Sequence, residues 1–543
     1  MLWSSRPPGL GCAPTGAVSA GPGTVRGPSG TELGGPASAS DRRRWVILSV
    51  LCLTVVIINL DSTILNVALP TIVRELHANA SQLQWVVDSY VIVLAGLLLP
   101  MGSLGDHVGR KWVFVAGLAA FAIGSATCAF ASGPNELIAA RAFMGIGAAA
   151  ILPSTLSILT NVFTEPGDRA KAIGIWSGTS GLGLAIGPVV GGWLLAHFWW
   201  GSVFLINVPI AIGALVAALA IVPDSRNPAA KRPDPVGAAC SLVAIALLLW
   251  GIIEAPTRGW TSPPILLAIA GSIVLLVGFV MWERHSTHPM LELSFFSSRR
   301  FSVAVGGLCL VFFALSGGLF LLTQYLQFCL GYSALQAGLR IVPIAVVLLV
   351  VASLSSFIVR RIGTKVTVFA GMALIAIGLW LLSGVTIATT YAGVLPAFFL
   401  LGIGAGLAIA PCTESVMGSV SAALAGVASA TNSTALQTGS ALGVAVLGSL
   451  FDTRYRTDML AALGHFSVPA PVVQTTVGSL GGALAVAGKV GGALGAELSL
   501  TARQAYISGM VFAVSVGAVI AAVAAIVVLA LLPARADRDH ASD

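Results

Sequence analysis

The chain has 543 residues, of which 57% are hydrophobic and only 9% are charged, and its net charge is +7. About a quarter of the residues in a soluble domain are charged, so this composition excludes a soluble globular protein and indicates an integral membrane protein. The basic residues lie in short segments between apolar runs, so the positive charge does not indicate a nucleic-acid partner. The apolar runs are continuous over about twenty residues, which predicts helices rather than barrel strands.

Residues 1–44 are rich in Gly, Pro and Ser, and we expect them to form a disordered cytoplasmic tail without a signal peptide. Residues 533–543 form a second short tail. Between the tails we predict fourteen membrane spans, at roughly 45–69, 84–104, 112–131, 137–163, 172–196, 203–222, 236–253, 264–282, 301–324, 337–359, 366–387, 391–412, 423–451 and 507–532.

The positions of the basic residues predict the orientation of these spans. With both termini on one side, twenty of the 28 Lys and Arg residues lie on that side. The other eight lie outside or within spans: Arg74, Arg141, Arg258, Arg340, Arg454, Arg456, Lys489 and Arg503. Because positive charge accumulates in cytoplasmic loops, this asymmetry places both termini in the cytoplasm.

The apolar segment 467–495 is the main ambiguity of the span count. It is dominated by Gly, Ala, Val and Ser and contains Lys489. As a fifteenth span it would place the basic C-terminal tail outside the cell, against the charge asymmetry. We therefore interpret 452–503 as a long external loop that folds against the membrane surface, and a fifteenth span is the alternative.

A polar decapeptide, Gly-Ser-Leu-Gly-Asp-His-Val-Gly-Arg-Lys, separates spans 2 and 3 at residues 102–111. Its shortness predicts that the flanking helices are antiparallel neighbours. Gly102 and Gly109 allow close backbone approach and a positive φ angle. Asp106 can accept from Arg110 or from the N-terminus of the helix that begins near Lys111. A solvated cytoplasmic turn is the simpler interpretation.

Asp61 is an acidic residue well inside span 1, about 12 Å from the outer end of the span at 1.5 Å per residue. An ionised carboxylate at that depth costs several kcal/mol, so it must be protonated, paired or in contact with a wet cavity. We interpret it as a proton acceptor, with a structural acid as the alternative. Its best partner is Arg141 in the outer half of span 4, unless that arginine extends to the outer surface.

Span 5 contains a proline and a repeated glycine spacing. Gly183, Gly187 and Gly191 recur every four residues on one face, and Pro188 removes one backbone hydrogen bond. With Gly192 they predict a kinked helix with a flat face that packs closely against a neighbour or acts as a hinge.

These segments together resemble a known family. Residues 102–111 resemble the signature that major facilitator transporters carry between helices 2 and 3. Residues 61–70 resemble the first-helix signature of their drug:proton antiporters, L-D-x-T-x-x-N-V-A-L-P. Arg141 with Gly145 resembles the fourth-helix motif, and residues 187–192 resemble the antiporter motif of helix 5. Over residues 45–532 the chain is similar to the fourteen-helix antiporters, the class of bacterial multidrug and antibiotic efflux pumps.

The resemblance implies an all-helical fold of two six-helix bundles, each built from inverted repeats, at 45–222 and 301–532. Two additional helices with their linkers lie between them, at 223–300. Substrate would bind near the midplane, between the two bundles. Polar residues that could contribute to this cavity are Asn66, Gln324, Gln327, Asn432 and Gln437. Glu254 and Glu414 are further acidic candidates, and ordinary hydrogen bonding between helices or contact with water explains these residues equally well.

The implied function is proton-driven efflux of hydrophobic or cationic small molecules across the cytoplasmic membrane of a bacterium. In this interpretation residues 102–111 form a gate and Asp61 couples transport to protons. The chain would be a functional monomer without catalytic residues, cofactor or metal. The resemblance does not identify an accessory export partner. Export of a lipid or an endogenous metabolite is the alternative, and proton-coupled uptake on the same fold is a weaker one. A membrane enzyme would need clustered nucleophiles or metal ligands, which the seven histidines do not provide.

Overall fold

The computed structural model describes residues 39–226, 234–286, 291–420, 425–464 and 469–533, so most of both tails lies outside it. Across these ranges the chain forms seventeen α-helices and no strand. The helices are α1 (Ala39–Leu76), α2 (Ala80–Val108), α3 (Arg110–Ala129), α4 (Pro134–Val162), α5 (Pro166–His197), α6 (Ser202–Leu205), α7 (Asn207–Ile221), α8 (Pro235–Arg258), α9 (Pro263–His285), α10 (Arg299–Gln324), α11 (Ala334–Ile362), α12 (Thr364–Leu382), α13 (Tyr391–Met417), α14 (Ala425–Leu463), α15 (Ala470–Gly478), α16 (Leu480–Val490) and α17 (Gly492–Leu531). A π-helical turn, Tyr325–Cys329, continues α10.

Thirteen helical segments of the described chain are long and apolar enough to cross a membrane, with α6 and α7 counted as one. Helix α5 has 32 residues and a length of about 48 Å at 1.5 Å per residue, which also suffices. The count of fourteen spans agrees with the prediction from the sequence.

Local signals define the helix ends. Capping boxes begin α2 at Asn79 and α11 at Ser333, where each cap side chain accepts from the backbone three residues later. At the opposite ends of these two helices, Gly109 and Gly363 have φ angles of +127° and +83°. We call the end of the bundle with Gly109 and Gly363 the turn end, and the end with Asn79 and Ser333 the far end.

The expected loop over 452–503 is corrected by the structure. Helix α14 continues to Leu463, α17 already begins at Gly492, and the short helices α15 and α16 lie between them. With 11 residues, α16 is about 16 Å long and too short to cross a bilayer. The Gly and Ala content of this segment suggested a loop, but alanine favours helices and the buried Ala483 and Val477 anchor both short helices.

Two sets of six spans, α1–α7 and α10–α14 with α17, repeat the same packing. A Cβ atom on Gly117 of α3 would lie 3.0 Å from the Gly147 oxygen of α4, so these helices are in close contact. In the second set a Cβ on Gly371 of α12 would lie 2.7 Å from the Gly404 oxygen of α13. Gly117 and Gly371 each follow their positive-φ glycine by eight residues, which indicates a structural repeat.

The inserted helices α8 and α9 pack against each other, and α8 contacts both halves, through α2 and α14. Ser81 of α2 donates a hydrogen bond to Glu254 of α8, with 2.7 Å between the oxygens. Nearer the turn end, Gly96 of α2 leaves room for Leu242 of α8. Helix α8 therefore lies along the boundary between the two halves.

Candidate functional site

A cavity of about 830 Å³ lies between the two halves. Its wall extends from Val67 of α1 and Thr323 of α10, on the side of the far end, to Asp106, Ser157 and Asp234 near the turn end. Most of the lining is apolar, with hydroxyl and amide groups at intervals. The cavity is therefore accessible from the turn end.

Contacts between the halves close the cavity at the far end. Gln327 in the π-helical turn donates through Nε2 to the Val67 oxygen of α1, at 2.9 Å. Ser449 of α14 donates to Oε1 of Gln84 in α2, at 3.2 Å. These bonds join the two halves only in a conformation whose far end is closed.

Helices α5 and α11 meet at the same end through glycines. A Cβ atom on Gly192 would lie 2.6 Å from the Cα atom of Leu335, and one on Gly338 would collide with the Pro188 oxygen. On another face of α5, Gly183 packs against the Val56 oxygen of α1, where a Cβ would lie at 2.8 Å. Gly187 and Gly191 continue that face against Thr63 and Ile64 of the same helix. The glycines of span 5 thus serve two interfaces.

An ion pair is buried in the first half. Arg141 Nη1 lies 2.5 Å from Asp61 Oδ2, and each side chain is 1% exposed. Asn207 of α7 donates to the other carboxylate oxygen, Oδ1, at 3.1 Å. Arg141 also donates through Nε to the Val86 oxygen, at 3.1 Å. The pairing suggested by the sequence is present, and removing one member of such a pair costs about 3–5 kcal/mol.

Groups that sequence reasoning did not identify complete this site. The Arg141 guanidinium lies 4.2 Å from the centre of the Tyr90 ring, a distance at which a cation is attracted to the ring face. Asn207 also donates to Ser125, which in turn donates to the Phe204 oxygen at 2.7 Å. The available signal for Asn207 was a polar amide inside an otherwise apolar span, in the Phe204–Pro209 stretch.

The ion pair lies directly behind the cavity wall. Asn59, Ser62 and Asn66 of α1 line the cavity, whereas Asp61 is turned toward α4 and α7. Arg141 borders the cavity as well as the carboxylate. A change in the pairing of Asp61 with Arg141 therefore alters the cavity wall, because the Arg141 side chain belongs to both.

Residues 102–108 of the decapeptide belong to the end of α2, and Gly109 alone forms the turn into α3, beside the mouth of the cavity. Arg110 Nε lies 2.8 Å from Asp106 Oδ1, and the same guanidinium donates to the Ser157 oxygen at 3.3 Å. Lys111 donates to the Leu219 oxygen at 2.8 Å, which ties the turn to the end of α7. Gly102 packs against Pro153 of α4. The turn joins α2, α3, α4 and α7 in one half of the protein.

A comparison with known families decides the classification. The profile of the Major Facilitator Superfamily matches residues 51–444, which is more than half of the chain. The chain belongs to the Major Facilitator Superfamily. Curated relatives include the multidrug efflux pump LfrA of Mycolicibacterium smegmatis, which is 36% identical over 90% of this chain and 96% of the relative.

Two further relatives of this transporter have similar coverage. The tetracenomycin C resistance and export protein of Streptomyces glaucescens is 34% identical over 91% of this chain and 93% of its own length. The methyl viologen resistance protein SmvA of Salmonella typhimurium is 31% identical over 86% of this chain and 93% of its own length. The superfamily member described here is therefore related to multidrug and antibiotic efflux proteins over nearly its whole length.

A solved structure shows the same fold. The crystal structure of a bacterial homologue of the human lysosomal transporter Spinster, inward-facing and occupied, aligns with a TM-score of 0.62 and 18% identity. The alignment covers 90% of this chain and 97% of that one. The predicted major facilitator architecture is confirmed.

The polar cavity candidates occupy different places in this transporter. Asn66 and Gln437 line the cavity. Gln324 bonds to the Phe320 oxygen of its own helix, at 3.1 Å, and Gln327 joins the halves as described. The remaining three candidates lie outside the cavity lining: Asn432 is buried, Glu254 borders a separate pocket at the far end, and Glu414 is exposed. No group of three metal-ligating residues occurs in the described ranges.

The Gly109→Ala variant tests the turn. A side chain at a φ of +127° is strained by about 1–3 kcal/mol, and the new Cβ would lie 2.8 Å from Asp224 Oδ1. We expect the transport rate to fall about tenfold with little change in drug affinity, measured by initial rates and equilibrium binding. Gly167→Ala, at the start of α5 with nothing within 4 Å, is the control. A weakened affinity with an unchanged rate would contradict a role in gating.

Proposed function

We propose that the chain is an antiporter that exports hydrophobic or cationic small molecules in exchange for protons. The observation that carries this proposal is the buried Asp61–Arg141 pair directly behind the wall of a cavity between the halves. A carboxylate and a cation at 1% exposure are held together by their attraction, and a proton on Asp61 removes that attraction. Protonation therefore changes the position of Arg141 at the cavity.

In this proposal the described conformation is the stage after proton release. The cavity is accessible from the turn end, and Asp61 is paired with the Arg141 cation, which favours the ionised carboxylate. In the proposed cycle Asp61 releases its proton inward, substrate enters the cavity, and a proton arriving from the other side displaces it. Each proton that enters provides about 2.3 kcal/mol per 100 mV of membrane potential, in addition to the pH term.

The cavity wall supports the substrate class. Trp176, Phe312 and aliphatic side chains provide an apolar surface, while Asp234 places a carboxyl group near the mouth. This combination favours apolar molecules and can attract those with a positive charge. The names of the relatives, which include multidrug efflux and methyl viologen resistance, agree with such substrates.

The proposal includes the membrane and the topology. We place the protein in the cytoplasmic membrane of a bacterium, with the turn end and both termini in the cytoplasm, on the basis of the Lys and Arg distribution. The two six-helix domains at 45–222 and 301–532, the inserted pair at 223–300 and a monomeric state belong to the same proposal. The contact of α8 with both halves supports its assignment to the insert.

Export of an endogenous secondary metabolite is a second candidate. A probable actinorhodin transporter of Streptomyces coelicolor is 34% identical over 78% of this chain and 75% of its own length. The same apolar cavity would accept an apolar metabolite. The two candidates differ in substrate and share the proton-coupling site.

Everted vesicles test the proposal with ethidium, a hydrophobic cation. After acidification of the lumen, adding ethidium should dissipate part of the pH gradient, and ethidium should accumulate inside. Collapse of the gradient by an ionophore should abolish accumulation, and vesicles without the protein are the control. Accumulation that persists without any proton gradient would contradict the antiport mechanism, and movement in the direction of the protons would indicate uptake.

A further inference from the structure

Asp88 of α2 is a buried acid that the proposed mechanism does not use. Its side chain is 0% exposed, and neither carboxyl oxygen has a hydrogen-bond partner within the described parts of the chain. By contrast, Asp61 accepts hydrogen bonds on both oxygens. A buried polar group without partners requires a physical explanation.

Asp88 lies at the junction of α2, α8 and α14. On the same face of α2, one turn away, Gln84 accepts the hydrogen bond from Ser449 of α14. Two turns away, Ser81 donates to Glu254 of α8. Asp88 therefore lies in the helix interface that closes the far end of the cavity.

The charged groups on the neighbouring helices lie nearer the far end or are already paired. On α8, Glu254 is paired with Arg258, and on α14, Asp452 lies one turn from Arg456. On α4, Arg141 is committed to Asp61. The contacts at Ser81 and Gln84 fix how α8 and α14 are aligned with α2. By this alignment, the fully buried Leu249 of α8 and Ala445 of α14 lie near the depth of Asp88. Among the described residues of α4, α8 and α14, the cation named at this depth is Arg141, which is already paired with Asp61.

An ionised carboxylate without donors at this depth would cost several kcal/mol, so the closed far end holds Asp88 as the neutral acid. We propose that Asp88 is a proton-binding gate residue that must be protonated for α2, α8 and α14 to close the far end. When the far end opens, α2 separates from α14, water reaches the carboxyl group, and the proton leaves to the water on that side. On closure one proton returns from the same side to Asp88.

This role differs from that assigned to Asp61. The Asp88 proton enters and leaves on one side of the membrane, so it does not add to the number of protons transported per cycle. It makes the conformational equilibrium sensitive to the pH at the far end, where acid favours closure. Glu254 and Asp452 are acidic residues nearer the far end, on the two helices that pack against α2 there.

The test measures conformation rather than transport, so it does not depend on the proposed efflux function. Cysteines replace Phe130 and Ala388, two exposed positions in far-end loops of the two halves, after replacement of the seven native cysteines. Fluorescence transfer between dyes on these cysteines reports the ratio of closed to open far ends in detergent between pH 5 and 9. One titrating proton changes this ratio about tenfold per pH unit over the range where Asp88 is ionised in the open form and protonated in the closed form.

Asp88→Asn and Asp88→Leu should both remove the pH dependence that Asp88 gives to the closed-to-open ratio. The slope of the logarithm of the closed-to-open ratio against pH should fall by about one, and both variants should stay closed at alkaline pH. Leu matches the apolar interface, so it provides a folded variant if Asn is poorly tolerated. Asp88→Glu should keep the slope, and Glu136→Gln, an exposed acid at the far end, should not change it. An unchanged slope in Asp88→Leu, or a far end that stays open in it, would overturn the proposal.

Discussion

The Asp61→Asn variant should lose proton-coupled efflux by about a hundredfold or more. The ion pair with Arg141 is buried, and its attraction is lost when Asp61 is protonated. Asparagine cannot take up or release a proton, so the variant no longer has two forms that differ in this attraction. A difference of about 3 kcal/mol corresponds to a rate effect of roughly a hundredfold. The measurement is ethidium accumulation in everted vesicles at a fixed pH gradient, normalised to the amount of protein.

Binding measurements separate coupling from substrate recognition in this variant. Arg141 borders the cavity and loses its counter-charge in this variant, as it does when Asp61 is protonated, so equilibrium affinity for ethidium should fall and should no longer change with the protonation of residue 61. Asp61→Glu keeps a titratable group and should retain part of the transport, and Glu414→Gln, which changes an exposed acid, should behave like the wild type. Full gradient-driven transport in Asp61→Asn would exclude Asp61 as the coupling residue.

The sequence predicted the features of this protein that follow from depth in the membrane. An acid and an arginine in the outer halves of two spans each need a partner there, and this requirement was sufficient to predict the Asp61–Arg141 contact. Span number and class followed from the length and continuity of the apolar runs. The same argument did not predict that Asp88 lacks a partner, because that depends on which side chains the neighbouring helices place opposite it.

The cavity lining could not be predicted to the same extent. An amide side chain within a span must have a hydrogen-bond partner. The sequence does not show how the helix is rotated about its axis, so it does not show where that partner lies. Gln324 bonds to its own helix four residues back, Gln327 bonds to the other half, and Gln437 lines the cavity. All three are similar in sequence context, so only the packing of the helices distinguishes them.

The repeat between the halves supports the proposal that the coupling residues lie in the first half. Gly147 and Gly404 are equivalent glycines in α4 and α13, as their contacts with α3 and α12 show. Six residues before Gly147 is Arg141, whereas six residues before Gly404 is Phe398, which is fully buried. The second half keeps the helix packing and replaces the charged group by an aromatic side chain. Its role in the proposed cycle is therefore to move against the first half rather than to bind the proton.

The Gly338→Val variant should prevent closure of the far end. A Cβ atom at this position already collides with the Pro188 oxygen, and valine adds two more carbon atoms, so α11 must move away from α5. Because packed interfaces switch between discrete arrangements, we expect the population to shift to the conformation open at the far end. Access to the cavity from the turn end should then fall by about a hundredfold, which corresponds to roughly 2.7 kcal/mol.

Alkylation of a cysteine in place of Ser433, which lines the cavity, measures this access. An impermeant maleimide added from the turn side should react about a hundredfold more slowly in Gly338→Val than in the parent without native cysteines. Gly192→Val places a side chain against the Leu335 backbone at the neighbouring close contact, so it should also slow the alkylation. Gly306→Val, in α10 with nothing within 4 Å, makes the same change in volume without touching the other half. If Gly338→Val reacts as fast as Gly306→Val, the α5–α11 glycine contact does not control the far end, and closure depends on the other contacts between the halves, which are the Gln327–Val67 bond and the interface of α2 with α8 and α14.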